Sequence, residues 1–172
     1  MRNKILDAAQ TRIAAVGYNA VSFRDLAADV GVKSASVHYH FPQKTDLGVA
    51  LVQRYSNRFS TALDSIDQSD ARGAMAAFCA LYANALIVDQ SLCLCAILAA
   101  ETVGLPAELR GEVGGFFDMN VAWLDGLYAR HNIDAPAPWD VVASLEGAMI
   151  VGAATRKNAL METTTARILA SF

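Results

Sequence analysis

Charge is scarce in this chain of 172 residues. Asp, Glu, Lys and Arg make up 18% against 54% hydrophobic residues, and the mean hydropathy is +0.29; soluble domains run at roughly 25% charged and about 45–50% apolar. So much apolar surface excludes intrinsic disorder. The length suffices for one domain of roughly 150 residues, or a small one joined to a larger, without disulfide staples. Long hydrophobic runs are missing as well. The run Leu92–Ala100 has nine residues closed by Ser91 and Glu101, and the longest, Ala74–Ala83, has ten, about half of the 18–20 that a membrane-spanning helix needs. Met1-Arg2-Asn3-Lys4 passes through Ile5-Leu6 straight to Asp7, which is no secretory signal. A cytoplasmic location and no membrane partner are therefore expected. Cysteine is limited to Cys79, Cys93 and Cys95, an odd number expected to stay as reduced thiols there. Proline occurs four times and alternating β-branched runs are few, while alanine occurs 32 times. That composition speaks against a strand-rich fold and for helices throughout. No repeat, low-complexity segment, Gly-rich phosphate loop or C-x-x-C pair is present. The apolar surplus must be covered by protein, and an oligomer is expected.

What charge there is divides unevenly. Residues 1–58 hold eight basic and four acidic residues, net +4, whereas residues 59–172 hold six and thirteen, net −7. A basic end on an acidic body is the footprint of a head that approaches a polyanion, although so short a segment also reaches such an imbalance by chance. Along the chain, Ile5, Ala9, Ile13 and Val16 recur at helical spacing up to Gly17, which is placed to end that helix. Ser22 is a good N-cap for Phe23, Leu26, Ala27 and Val30. Gly31 then interrupts, and Lys33-Ser34-Ala35-Ser36 starts a short third helix before Pro42. Leu47, Leu51, Tyr55, Phe59, Leu63 and Ile66 mark a helix from Thr45 to Ile66, roughly 33 Å long. Further helices are expected over Arg72–Val88, Leu92–Val103, Leu109–Arg130, Trp139–Thr155 and Asn158–Ser171, with Asn132–Pro138 as a linker. The fold class expected is all-α, with about nine helices.

Two helices joined by a short Gly-containing turn form a helix-turn-helix. Here Ser22–Val30 is the first helix, Gly31-Val32 the turn and Lys33–Tyr39 the recognition helix. Ser34 and Ser36 carry short hydroxyls that reach base edges or phosphates, and Lys33 and Lys44 flank them as phosphate neutralisers. The recognition-helix N-terminus itself favours phosphate. His38, Tyr39 and His40 add aromatic, hydrogen-bonding side chains beside the same surface.

These residues carry a resemblance. Ile5-Leu6-Asp7-Ala8-Ala9, Gly17-Tyr18, Val21 to Ala27, Gly31-Val32-Lys33 and His38-Tyr39-His40-Phe41-Pro42-Gln43-Lys44-Thr45-Asp46-Leu47 resemble the DNA-binding head of the TetR/AcrR family of bacterial transcriptional regulators. The resemblance implies a helix-turn-helix domain over residues 1–46 and a helical effector-binding and dimerisation domain over 47–172. It further implies a homodimer that binds double-stranded operator DNA, usually as a repressor, and that a small-molecule effector releases. Ser22 and Arg24 resemble the family's phosphate contacts, and Lys33, Ser34, Ala35 and Ser36 occupy the groove-facing positions. Tyr39 and His40 match an aromatic-histidine signature whose tyrosine touches the backbone. Phe41 looks structural, and Lys44 resembles a phosphate-contacting lysine. His38 departs from the pattern, where Tyr is commoner.

Outside the head the residues allow more than one reading. His38 and His40 are two apart and point about 200° from each other on a helix, so no metal is expected, and no cofactor. Cys93 and Cys95 face opposite sides of their helix for the same reason. They act as small buried hydrophobes, or one of them senses oxidants or electrophiles, which needs a base nearby to lower its pKa. Phe78, Tyr82, Phe117 and Trp123, together with Cys95 and Asn120, either fill the core or line a mainly apolar effector pocket. Glu101, Asn120 and Glu146 either orient a ligand or cap and solvate helices. From Val141 to Ala154 only Ser144 and Glu146 are polar. The small-residue face of Ala143, Gly147, Ala148, Val151 and Gly152, with Ile168 from the last helix, is read as a dimer interface or as burial within one chain. A non-enzymatic, ligand-gated regulator is the leading class. Its rivals are a cysteine sensor of the same fold, an all-α thiol redox enzyme and a helical adaptor without DNA binding.

Overall fold

The computed structural model describes residues 1–87, 91–134 and 136–172. Its described residues form nine α-helices: α1 (Arg2–Val16), α2 (Phe23–Val30), α3 (Ser34–His40), α4 (Lys44–Asp64), α5 (Ala71–Ile87), α6 (Leu94–Ala100), α7 (Ala107–His131), α8 (Pro138–Thr155) and α9 (Ala159–Leu169). A 3₁₀ turn, Thr102–Gly104, follows α6, and no strand occurs among the described residues. They form two compact units. The first comprises Met1–Asn57 with Leu94–Phe116, and the second Arg58–Cys93 with Phe117–Phe172.

In the first unit, α1 buries Ile5, Leu6, Ala9 and Ile13 on one stripe. Gly17, at φ +80°, closes the helix with its N–H on the Ile13 carbonyl. A left-handed φ is where glycine is unstrained. Ser22 caps α2 through a full capping box: its Oγ accepts the Asp25 N–H at 3.2 Å, and the Asp25 carboxylate accepts the Ser22 N–H at 3.3 Å. Gly31, in the left-handed region, ends α2, and Val32 N–H returns to the Ala27 carbonyl at 2.9 Å. Val37 and Phe41 anchor the short α3. At α4, Asp46 accepts the Gln43 N–H at 2.8 Å, which caps the start of the helix. Arg12 pairs bidentately with Asp29, tying α1 to α2, and Arg54 donates to Asp7 at 2.7 Å. Close packing of α4 on α7 uses Gly48, where a Cβ would stand 2.8 Å from Leu109 Cδ2.

In the second unit, α5 packs against α8 and α9, and α8 lies along α9. Asn132, at φ 54°, follows the last turn of α7, and the Ile133 N–H is received by the Tyr128 carbonyl. Pro138 opens α8 at a position where its missing N–H is no loss. Arg156, at φ 57°, closes it.

One element differs from expectation. The helix expected over Leu92–Val103 is confined to Leu94–Ala100. At its end the Glu101 side chain is drawn to backbone N–H groups elsewhere in the unit, and the Thr102 hydroxyl turns back to the Ala99 carbonyl. Cys93 precedes α6, so the two thiols do not share a helix, contrary to the reading from spacing; its N–H is received by Met149 Sδ at 3.1 Å. Val88, expected at the end of α5, and Ala135, in the expected linker, lie outside the described residues.

Candidate DNA interface and ligand-binding residues

The recognition helix is held by what it buries. Val37 is fully buried and Phe41 follows it into the core. Ala35, His38 and Tyr39, at i, i+3 and i+4, therefore share the outer face and are exposed, next to the exposed Lys33 at the N-cap. Tyr39 is 83% exposed, an unusual place for a large ring. His40 rests edge-on against it, with centroids 5.2 Å apart, and His38 meets Phe23 of α2 in the same way at 4.7 Å. The two imidazoles thus have separate aromatic partners. Ser34 and Ser36 flank the outer face and are half-buried.

The phosphate-contact candidates differ in how they are held. Arg24 is exposed. The Ser22 hydroxyl is occupied, donating to Asp25 at 2.6 Å, and that bond holds the Asp25 carboxyl below the usual range. Lys44 is folded against the α1–α2 turn. Its Nζ donates to the Asn19 carbonyl at 3.1 Å and sits 4.6 Å from the Tyr18 ring centroid. Burial pushes its pKa down, and the nearby Glu101 carboxylate opposes that shift. The sequence presents Tyr18 only as part of the family-like segment and does not single out Asn19, because nothing local marks a turn whose partner, Glu101, lies more than 80 residues away.

Four of the six candidate pocket residues come together in the second unit. Phe78 stacks on Trp123 with ring planes 15° apart and centroids 5.3 Å apart, and meets Tyr82 at 5.6 Å. Tyr82 donates its hydroxyl to Asn120 Oδ1 at 3.2 Å, a buried polar pair. Phe59, which the sequence marked merely as part of a helical stripe, closes the cluster edge-on against Tyr82 at 5.6 Å. Phe117 is half-buried in the same unit, whereas Cys95 is buried in the first. Among the candidate polar groups, Glu101 caps a turn and Asn120 receives Tyr82. Glu146 stands apart. It is 8% exposed and neither carboxylate oxygen has a hydrogen-bond partner. Burial, with Cys93 alongside, pushes its pKa up to about 9, so it holds a proton at neutral pH. The Trp123 indole N–H and Tyr128 hydroxyl are also buried without partners.

All three cysteines are buried. Burial raises Cys79 to about 11, which keeps that thiol protonated and unreactive. The candidate dimer residues separate into two sets. Ala148, Gly152 and Ile168 are buried within the chain, and Gly152 lies against Leu86. Ala143 and Val151 face outward with the half-buried Gly147. Trp139, 54% exposed, and Ile150 extend the same outer side of α8. Among the described residues no helix is long and apolar enough to cross a membrane.

Residues 5–51 match the family of bacterial regulatory proteins of the tetR type. No curated protein matches the chain significantly. A TetR-family transcriptional regulator from Agrobacterium tumefaciens is 27% identical; the match covers 98% of this chain and 95% of that one, with a TM-score of 0.91. A TetR regulator from Legionella pneumophila is 26% identical over 96% and 93% of the two chains, with a TM-score of 0.86. The regulator FadR from Bacillus subtilis, solved in complex with stearoyl-CoA, shares the fold at 17% identity, with full coverage of both chains and a TM-score of 0.75. Residues 5–51 thus carry a helix-turn-helix domain of the tetR type, and the fold of the described chain is that of TetR-family transcriptional regulators.

Proposed function

We propose that this protein is a repressor that holds double-stranded operator DNA as a homodimer and leaves it when a small, mainly apolar effector binds. One observation carries the DNA-binding role. A capping box locks the helix-turn-helix, and its second helix turns Ala35, His38 and Tyr39 outward beside Lys33 in the basic part of the chain. In this reading residues 1–46 are the DNA-binding domain and 47–172 the effector-binding and dimerisation domain. Lys33, Ser34, Ala35 and Ser36 meet the groove, with His38 and His40 at its edge. Ser22, Arg24, Tyr39 and Lys44 hold phosphates, contacts that position the protein without reading sequence.

The outward half of α8, with Trp139, Ala143, Gly147 and Val151, supports dimerisation. A two-fold dimer also delivers two heads to two half-sites. The buried Tyr82–Asn120 pair among Phe78 and Trp123 supports an apolar ligand site with few polar groups, and the unpaired Glu146 carboxyl adds another buried polar group in the same unit. FadR, of the same fold, accommodates stearoyl-CoA. A cytoplasmic regulator rather than an enzyme fits this picture, and burial of the thiols favours their role as small hydrophobes.

The test is selection of bound sequences from a randomised duplex library, followed by affinity measurements on the selected duplex. Lys44→Ala should weaken binding to all sequences and reduce the salt slope, whereas Ser36→Ala should change sequence preference. If both variants behave as the parent does, the head is not the DNA-binding surface.

A further inference from the structure

The turn between α1 and α2 leaves the Tyr18 and Asn19 N–H groups without helix partners, and such groups must be satisfied elsewhere. One carboxylate takes both. Glu101 accepts from Tyr18 N–H at 2.8 Å, from Asn19 N–H at 3.1 Å and from Asn19 Nδ2 at 3.0 Å. The chain is shaped around this contact on both sides. Gly17, at φ +80°, has no room for a Cβ against Glu101 Oε1, and a Cβ at Gly104 would stand 2.9 Å from Asn19 Nδ2. The same two turn residues hold Lys44 with their other groups: the Asn19 carbonyl at 3.1 Å and the Tyr18 ring at 4.6 Å. Without that support a lysine at a helix start is a flexible stem with many rotamers.

We propose that Glu101 is the positioning residue for the DNA contact of Lys44: its carboxylate fixes the Tyr18–Asn19 turn, and the turn presents the carbonyl and ring on which the ammonium rests. This rests on the assignment of Lys44 as a phosphate contact. Glu101 itself touches no DNA in this scheme and acts through the turn.

The experiment is a double-mutant cycle on the full chain, measuring affinity for the selected duplex by fluorescence anisotropy over a range of salt concentrations. Lys44→Ala is expected to lower affinity about tenfold and to reduce the salt slope by about 0.9 per head. Glu101→Gln keeps the shape but sets an amide NH₂ against the turn's donors. It should lower affinity by about three- to tenfold with a comparable loss of slope, and the double variant should bind no more weakly than Lys44→Ala alone. If Lys44→Ala changes neither affinity nor slope, the phosphate contact itself is refuted. If Lys44→Ala has its effect while Glu101→Gln is silent or fully additive with it, the positioning role is overturned and the contact stands. Should Glu101→Gln fail to fold, Asn19→Ala removes just the 3.0 Å side-chain bond. It is then expected to lower affinity about twofold, again without additivity to Lys44→Ala, and additivity would overturn the role.

Discussion

Replacing Glu146 by Gln should make the protein more stable, and the gain should grow with pH. Glu146 sits on an apolar stretch of α8, 8% exposed, with both oxygens unpaired and Cys93 beside it. Burial raises its pKa from 4.5 to about 9. Because the folded value lies above the unfolded one, the folded state keeps a proton that the unfolded chain releases between those limits. Stability is therefore fully present below about pH 4.5 and falls by about 1.4 kcal/mol per pH unit until about pH 9. At pH 7 the penalty is about 3 kcal/mol, which for a chain of this size is roughly 6–12 °C in Tm. Gln has the shape of the protonated acid and no charge to lose. Thermal melts of parent and Glu146→Gln, at one protein concentration since oligomers melt with concentration, should coincide near pH 4.5 and diverge steadily up to about pH 8. Parallel pH profiles, or a variant that melts below the parent at pH 8, would refute the reasoning, since either means that Glu146 ionises in the folded protein at least as readily as in the unfolded chain.

Two further outcomes follow from the site geometry. Ser22→Ala removes both halves of the Ser22 hydroxyl's capping interaction with Asp25 and should destabilise the protein by about 1 kcal/mol, read as a Tm lower by roughly 2–4 °C. Val151→Asp places a charge on the outward side of α8, where Val151 is 49% exposed. Sedimentation should show the proposed dimer shifted toward monomer with helical circular dichroism unchanged; a dimer that the substitution leaves intact would move the interface away from that side.

Much of the head is legible in the sequence because its determinants are local. Ser22 with Asp25 at the third helical position, Gly31 after Val30, and Gly17 after Val16 act on partners within four residues, the range of helix capping. Phe41 reads as structural from the sequence, but the burial of Val37, and with it the outward face of Ala35, His38 and Tyr39, is seen only in the fold. The body is less legible. On α8 nearly every residue from Val141 to Ala154 is apolar, so periodicity cannot say which face meets solvent; packing against α5 and α9 turns Ala148 and Gly152 inward and leaves Ala143 and Val151 outside.

By itself, then, the sequence determined an all-α TetR-type chain with its helix-turn-helix in the basic segment, since caps, glycines and period are read from near neighbours. Tertiary structure alone decided three things: that α6 stops short at Glu101, that Lys44 folds onto the Asn19 carbonyl, and that Glu146 is buried beside Cys93. Each depends on a surface brought in from far along the chain, and a side chain's spacing within its own helix carries no record of what that surface will be.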